Sequence, residues 1–244
     1  MADQTATDLP GDDRSYSRHL RGELRRLERR AEKGDPLWPA QLAEAIAIAL
    51  HLALSDKLVI GPKYLVPGVE GLLLLTLVVI APARANHSAW RHQRGLLWAI
   101  LGLVTLSYLV SLGLLVHYLV TGGRVGGHAL IGSGVVLWVT NVLLFSVVYW
   151  DLDRGGPLNR FEREKPWPDF LFPQMDSPEF TPMQKKWQPS FLDYFYTALT
   201  NATAFSPTDT MPLTQTAKLL MSVQGTAAIV TVGLVLARAV NILG

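Results

Sequence analysis

Residues 191–205, FLDYFYTALTNATAF, are followed by SPTDTMPLT at 206–214 and by AKLLMSVQGTAAIVTVGLVLARAVNIL at 217–243. The order is a short aromatic helix, a turn-rich polar bend and an apolar helix of spanning length. Irregular backbone at membrane depth survives only where protein buries it or where it lines a wet cavity. If the bend at 206–213 lies within a bilayer, it is the first place to look for function.

The rest of the chain makes the membrane reading general. Of 244 residues 49% are hydrophobic, with few charges in the apolar runs, so a polytopic membrane protein is expected rather than a soluble domain. Spans are predicted at Trp38–Ser55, Val66–Ala81, Leu96–Val120 and His128–Trp150, with the last at 217–243. The fold expected is an all-α bundle of five full transmembrane helices, one short and possibly re-entrant helix, and an N-terminal basic amphipathic helix. The polar first 36 residues have no apolar core, so no cleavable signal peptide is expected.

Residues 1–13 read as a disordered tail and 14–35 as a juxtamembrane helix. Leu20, Leu24, Leu27 and Ala31 recur at helical spacing, with Arg21, Arg25, Arg26, Arg29 and Arg30 around them. These arginines are candidates for contact with anionic lipid headgroups, beside the plainer role of a topology signal. Residues 36–150 form the four-helix region and 151–189 an interfacial loop rich in Pro, Trp and Phe, with 190–244 as the final unit. Lys and Arg concentrate in the N-terminal helix and in a loop carrying Arg84, Arg91 and Arg94. That bias puts the N-terminus and 151–189 in the cytoplasm; the expected location is the inner (plasma) membrane. Two readings of 191–205 stay open: it crosses, giving six crossings, or it dips in and returns, giving five.

Ionisable residues inside spans are functional candidates, because burying them is expensive. Glu44 and His51 lie seven apart on one helix face, with Gln41 and Ser55 extending the stripe. Such a stripe fits a proton or cation path, or a polar packing seam. Glu70 is placed near an interface, or paired with Lys63 or Arg124. Gln224, Thr231 and Arg238 form a second stripe, lining a pore in an oligomer or packing in a monomer. Asn141 reads as a helix–helix hydrogen bond, and Asp151 and Asp153 as a capping turn. His117 and His128 lack a third partner at ligand spacing, and the chain has no cysteine, so no metal site is expected. The absence of nucleotide-binding, metalloprotease and nucleophile-elbow motifs argues against an enzyme, a cofactor or a nucleic-acid partner.

The C-terminal run resembles the pore module of the two-helix potassium-channel superfamily, and the tail of bacterial integral membrane proteins with a degenerate pore-like ending. The resemblance rests on Tyr194, Tyr196, Thr200 and Thr203, then Ala204 to Thr208, then Asp209, Pro212 and Arg238. It implies a homo-oligomer, a tetramer in that superfamily, and a monovalent cation as partner besides the lipid. The loop departs from the family's glycine-bearing filter: it has no glycine, and Pro207 fixes one dihedral. Permeation would then use Thr203, Ser206, Thr208 and Asp209, giving a weakly selective cation path. The alternatives are a non-transporting accessory or scaffold subunit, and a small proton-coupled transporter using Glu44, His51 and Glu70.

Overall fold

A computed structural model describes residues 36–80, 87–121, 126–157, 167–176, 187–203 and 209–243. The basic segment with Arg21, Arg25, Arg26, Arg29 and Arg30 lies outside these, as do Ser206 and Thr208. The described residues are mainly helical. In chain order the helices are α1 (Trp38–Ala53), α2 (Leu65–Ile80), α3 (His87–Thr121), α4 (Gly127–Leu152), the single turn α5 (Pro173–Asp176), α6 (Phe191–Thr203) and α7 (Gln215–Leu243). Three are long and apolar enough to cross a membrane, over Arg94–Thr121, Gly127–Gly155 and Gln215–Val240. Leu65–Val79 is apolar but shorter.

α4 is the centre of the bundle, packed against α1, α3, α6 and α7. From Thr140 to Asp151 every side chain is buried, so this stretch has no outward face. A helix apolar nearly all round must be covered on every side, and its few polar residues must find partners there. Gly134 lets α7 come close: a Cβ at that position would run into Val235 Cγ2. On its other side α7 leaves Leu219, Val223, Ile229, Leu236 and Val240 exposed.

Pro39 is the second residue of α1, where its missing N–H costs nothing in the first turn. A 3₁₀ turn at Asp56–Leu58 follows, with Leu58 fully buried. The Ser55 amide there donates to Ser133 Oγ at 3.4 Å, fixing this turn against the first third of α4. α3 begins earlier than its apolar run suggests. Arg91 and Arg94 belong to the helix rather than to the preceding loop. Arg94 lies beside the end of α4, where its Nε donates to Asp151 Oδ2 at 3.1 Å and its guanidinium also donates to the Asp151 carbonyl.

After α4 the backbone turns through Arg154, Gly155 and Gly156, all at positive φ. Two short strands, β1 (Phe170–Leu171) and β2 (Met211–Pro212), then pair antiparallel. This pairing joins the loop after α4 to the segment leading into α7.

Candidate functional site

That two-residue ladder decides how α6 lies. Asp153 Oδ1 accepts from the Asp169 and Phe170 amides at 2.8 and 3.4 Å, and its Oδ2 accepts from the Tyr194 hydroxyl at 2.6 Å. Asp169 accepts from Thr214 Oγ1 at 2.8 Å, and its carbonyl accepts from the Leu213 amide. The first turn of α6 and the start of α7 are therefore fastened to the same end of the bundle. Both helices run away from that end side by side. Asn201 Nδ2 donates to the Met221 carbonyl at 2.9 Å, and Gln224 Nε2 to the Ala198 carbonyl at 2.9 Å. At the far tip of α6, Trp138 Nε1 donates to the Ala202 carbonyl. The chain thus goes in along α6 for 13 residues, about 20 Å at 1.5 Å per residue, and returns to the end it left.

The inner face of α6, Tyr194, Thr197, Ala198 and Ala202, is buried against α4 and α7. Rings from both sides of the join stack around its base: Phe170 lies 5.0 Å from Tyr149, and Phe172 lies 5.3 Å from Tyr194 edge-on. On the return limb Thr210 is buried and takes a hydrogen bond from Thr197 at 3.2 Å. Thr203 and Asp209 are exposed on the surface of the protomer.

Gln224 and Thr231 point into the protomer, both essentially inaccessible. Gln224 Oε1 accepts from Tyr149 at 2.6 Å and from Asn201 at 2.8 Å, so both its oxygen and its nitrogen are engaged between α4, α6 and α7. Arg238, two turns past Thr231, is half-buried, and its Nε has no hydrogen-bond partner among the described residues.

A second polar region lies across the bundle. Glu70 is 1% exposed, turned inward by α2 between α1 and α3. Its Oε1 accepts from Ser107 at 3.1 Å and its Oε2 lies 3.4 Å from His51 Nδ1. Lys63, which the sequence offers as a partner, instead meets Asp56 at 2.7 Å in the α1–α2 turn. Beside His51 and Glu70 is a cavity of about 10 Å³ lined also by Ser107, Tyr108, Ser111 and Thr140, a size that holds roughly one water molecule. Tyr108 takes a hydrogen bond from Asn141 at 3.0 Å, which ties this cluster to α4.

Glu44 stands apart, two turns before His51 on the same face of α1. It is 3% exposed, and neither carboxylate oxygen has a hydrogen-bond partner among the described residues. His117 and His128 are both exposed. Among the described residues no three His, Asp or Glu side chains converge as metal ligands would.

Compared with known protein families, with curated proteins and with solved structures, the chain finds no match. The functional reading therefore rests on the geometry above. Sequence reasoning found the stripes of α1 and α7 but missed two things. It did not pair Glu70 with His51, since the two are 19 residues apart on different helices. It also read Asp153 as a local turn, whereas its carboxylate binds residues up to 41 positions away.

Proposed function

We propose that this chain is a multi-pass protein of the inner (plasma) membrane whose re-entrant helix and return loop line a weakly selective path for a monovalent cation. In this reading α1, α2, α3, α4 and α7 cross the bilayer and α6 enters half-way. The N-terminus and residues 151–189 are cytoplasmic and the C-terminus is on the opposite side. The path lies between copies of the chain in a homo-oligomer, a tetramer if the likeness to the potassium-channel pore module holds.

The observation that carries the reading is the parallel start of α6 and α7 at one end of the bundle, with the polar bend between them. Only such a hairpin brings irregular, hydroxyl-rich backbone to membrane depth under the cover of other helices. Thr203 and Asp209 are exposed on the protomer, free to meet an axis shared with neighbouring copies. A carboxylate at the mouth of such a path concentrates cations and repels anions. Ser206 and Thr208 are assigned to the same lining from their place between these two. The stripe of α7 enters differently: Gln224 holds α6 in place and Thr231 is buried facing Tyr108 of α3, which makes them supports of the path rather than its wall.

Purified protein reconstituted into liposomes tests this. Cation flux from a particle of rotational symmetry, reduced several-fold in anion discrimination by Asp209→Asn, is the expected result. A monomeric particle without flux, copurifying with a larger complex, assigns the chain to the alternative, an accessory subunit in which the hairpin is a structural plug.

A further inference from the structure

The buried face of α1 carries a second site that the re-entrant hairpin does not use. Gln41, Glu44 and His51 fall on one stripe of this helix, and Ser55 follows just beyond its end, at the start of the 3₁₀ turn. The helix itself is 16 residues long, about 24 Å at 1.5 Å per residue. At its far end Ser55 touches Ser133 of α4, and in its second half His51 reaches Glu70. Each element packed on α1 leaves Glu44 without a counter-ion. The titratable side chains turned into the interior are His51 from α1 itself, Glu70 from α2, Tyr108 from α3, Tyr149 and Asp151 from α4, and Asp153 and Tyr194, which bond to each other. Among these Glu70 is held by His51 and Ser107, Tyr149 donates to Gln224, and Asp151 is engaged by Arg94. No Lys or Arg among the described residues forms an ion pair with Glu44.

A carboxylate in such a place is a poor structural element. As an anion it lacks both a partner and solvent, which is among the costliest arrangements a fold can hold. As a neutral acid it is accommodated far more cheaply, and a group whose ease of burial depends on one proton can take up and release that proton. The cavity beside His51 and Glu70 lies further along the same face and also touches Ala47, between Glu44 and His51. It is large enough for a single water, and its mixed lining includes Ser107, Tyr108, Ser111 and Thr140 beside Leu54, Val104 and Leu137.

We propose that Glu44 reversibly binds a proton inside the bundle, and that the His51–Glu70 pair, two turns further along the same face, is the site to which it passes. The two form successive stations of a proton path through α1–α4. No bond other than O–H or N–H forms or breaks: a proton adds to a Glu44 oxygen from one side and leaves to water or to the His51–Glu70 pair on the other. The inference needs only α1–α4 and does not rest on the pore reading of α6.

Two measurements on the full chain in liposomes test it. Infrared difference spectra on raising the bulk pH are expected to show loss of a protonated-carboxyl C=O band, absent in Glu44→Gln. Proton uptake driven by a potassium diffusion potential is expected to fall at least tenfold in Glu44→Gln and in Glu44→Leu. Glu44→Leu is also expected to melt at a higher temperature than the parent, since it replaces an unpartnered carboxyl by an apolar side chain. That combination, more stable and inactive, separates a functional carboxyl from a structural one. Parent-level proton uptake in Glu44→Leu, or a carboxyl band that persists in Glu44→Gln, overturns the proposal. Absence of cation flux with the Glu44 band and proton uptake intact would count against the hairpin pore alone.

Discussion

The Tyr194 hydroxyl donates to Asp153 Oδ2 at 2.6 Å, joining the first turn of α6 to the end of α4 across 41 residues of sequence. Asp153 is wholly buried, and its other oxygen is taken by the amides of Asp169 and Phe170. One carboxylate thus organises three segments at once: the end of α4, the strand β1 and the base of α6. It can do so because the backbone after it turns through three positive-φ residues, which bring the chain back over the carboxylate instead of away from it. Gly156 is the tightest point, where an added Cβ would sit 3.0 Å from Asp151 Oδ1.

Removing this hydroxyl leaves a buried carboxylate oxygen without its donor. We expect Tyr194→Phe to destabilise the protein by about 1–3 kcal/mol. Asp153→Ala is expected to cost more, because it also strands the two amides that secure β1. The chain's seven tryptophans allow the melting transition to be followed by fluorescence in detergent. Limited proteolysis between α4 and α6 gives the local readout: cleavage should accelerate in both variants and more in Asp153→Ala.

Gln224 holds the deeper part of α6 in the same manner. Its side chain uses one oxygen for two donors and its nitrogen for a helix carbonyl. Gln224→Leu has a similar volume but offers none of these bonds, stranding the Tyr149 hydroxyl. A loss of roughly 2 kcal/mol or more is expected from the unsatisfied groups. Gln224→Glu keeps the acceptor and should recover part of it only if the acid is protonated. Flux per oligomer is expected to change with the stability, because the substitution loosens α6 rather than altering a pore wall. A stable Gln224→Leu protein with altered ion selectivity would instead place residue 224 on the path.

Sequence alone disclosed much of the helical architecture and little of the tertiary wiring. The apolar runs that become α3, α4 and α7 are long enough to be read directly. The start of α3 was obscured because polar residues, Arg91 and Arg94, continue the helix beyond its apolar stretch; hydropathy marks the lipid-facing length, not the hydrogen-bonded one. The stripe logic put Glu44 and His51 on one face, since that depends only on the helical period. The partner of Glu70 depends on how α1 and α2 rotate against each other, and no local pattern encodes that. The return of the chain after α6 was equally undecidable from 191–214, because the evidence for it is a pairing with Phe170 and Leu171.

The approach of α4 to α7 at Gly134 and Val235 gives a test of helix packing free of polar groups. Gly134→Ala places a methyl where Val235 Cγ2 now sits, and overpacking of this kind costs about 1–3 kcal/mol. Val235→Ala removes the obstructing methyl and should by itself cost about 1 kcal/mol through lost contact. In the double variant the clash has no partner. The measured coupling should therefore be favourable, with the pair less destabilised than the sum of the singles. Additive losses in melting temperature would mean that the two helices do not meet at this point in the folded protein.

The direction of α6 can be checked by chemical labelling, since the chain has no cysteine and each introduced thiol reports alone. Gln174 and Asp209 are exposed at the end of the bundle where β1 and β2 pair, and Gly126 is exposed at the start of α4, the opposite end. Cys at 174 and at 209 should react with a membrane-impermeant maleimide from one side of the membrane, and Cys at 126 from the other. Under the orientation proposed above, the first two react in inside-out vesicles and the third in intact spheroplasts. The comparison between 174 and 209 is the decisive one, because α6 and the bend after it are all that separates the folded loop from Asp209. Were α6 to pass fully through the bilayer, position 209 would label with 126; a thiol that labels with 174 fixes the hairpin as re-entrant in the membrane itself.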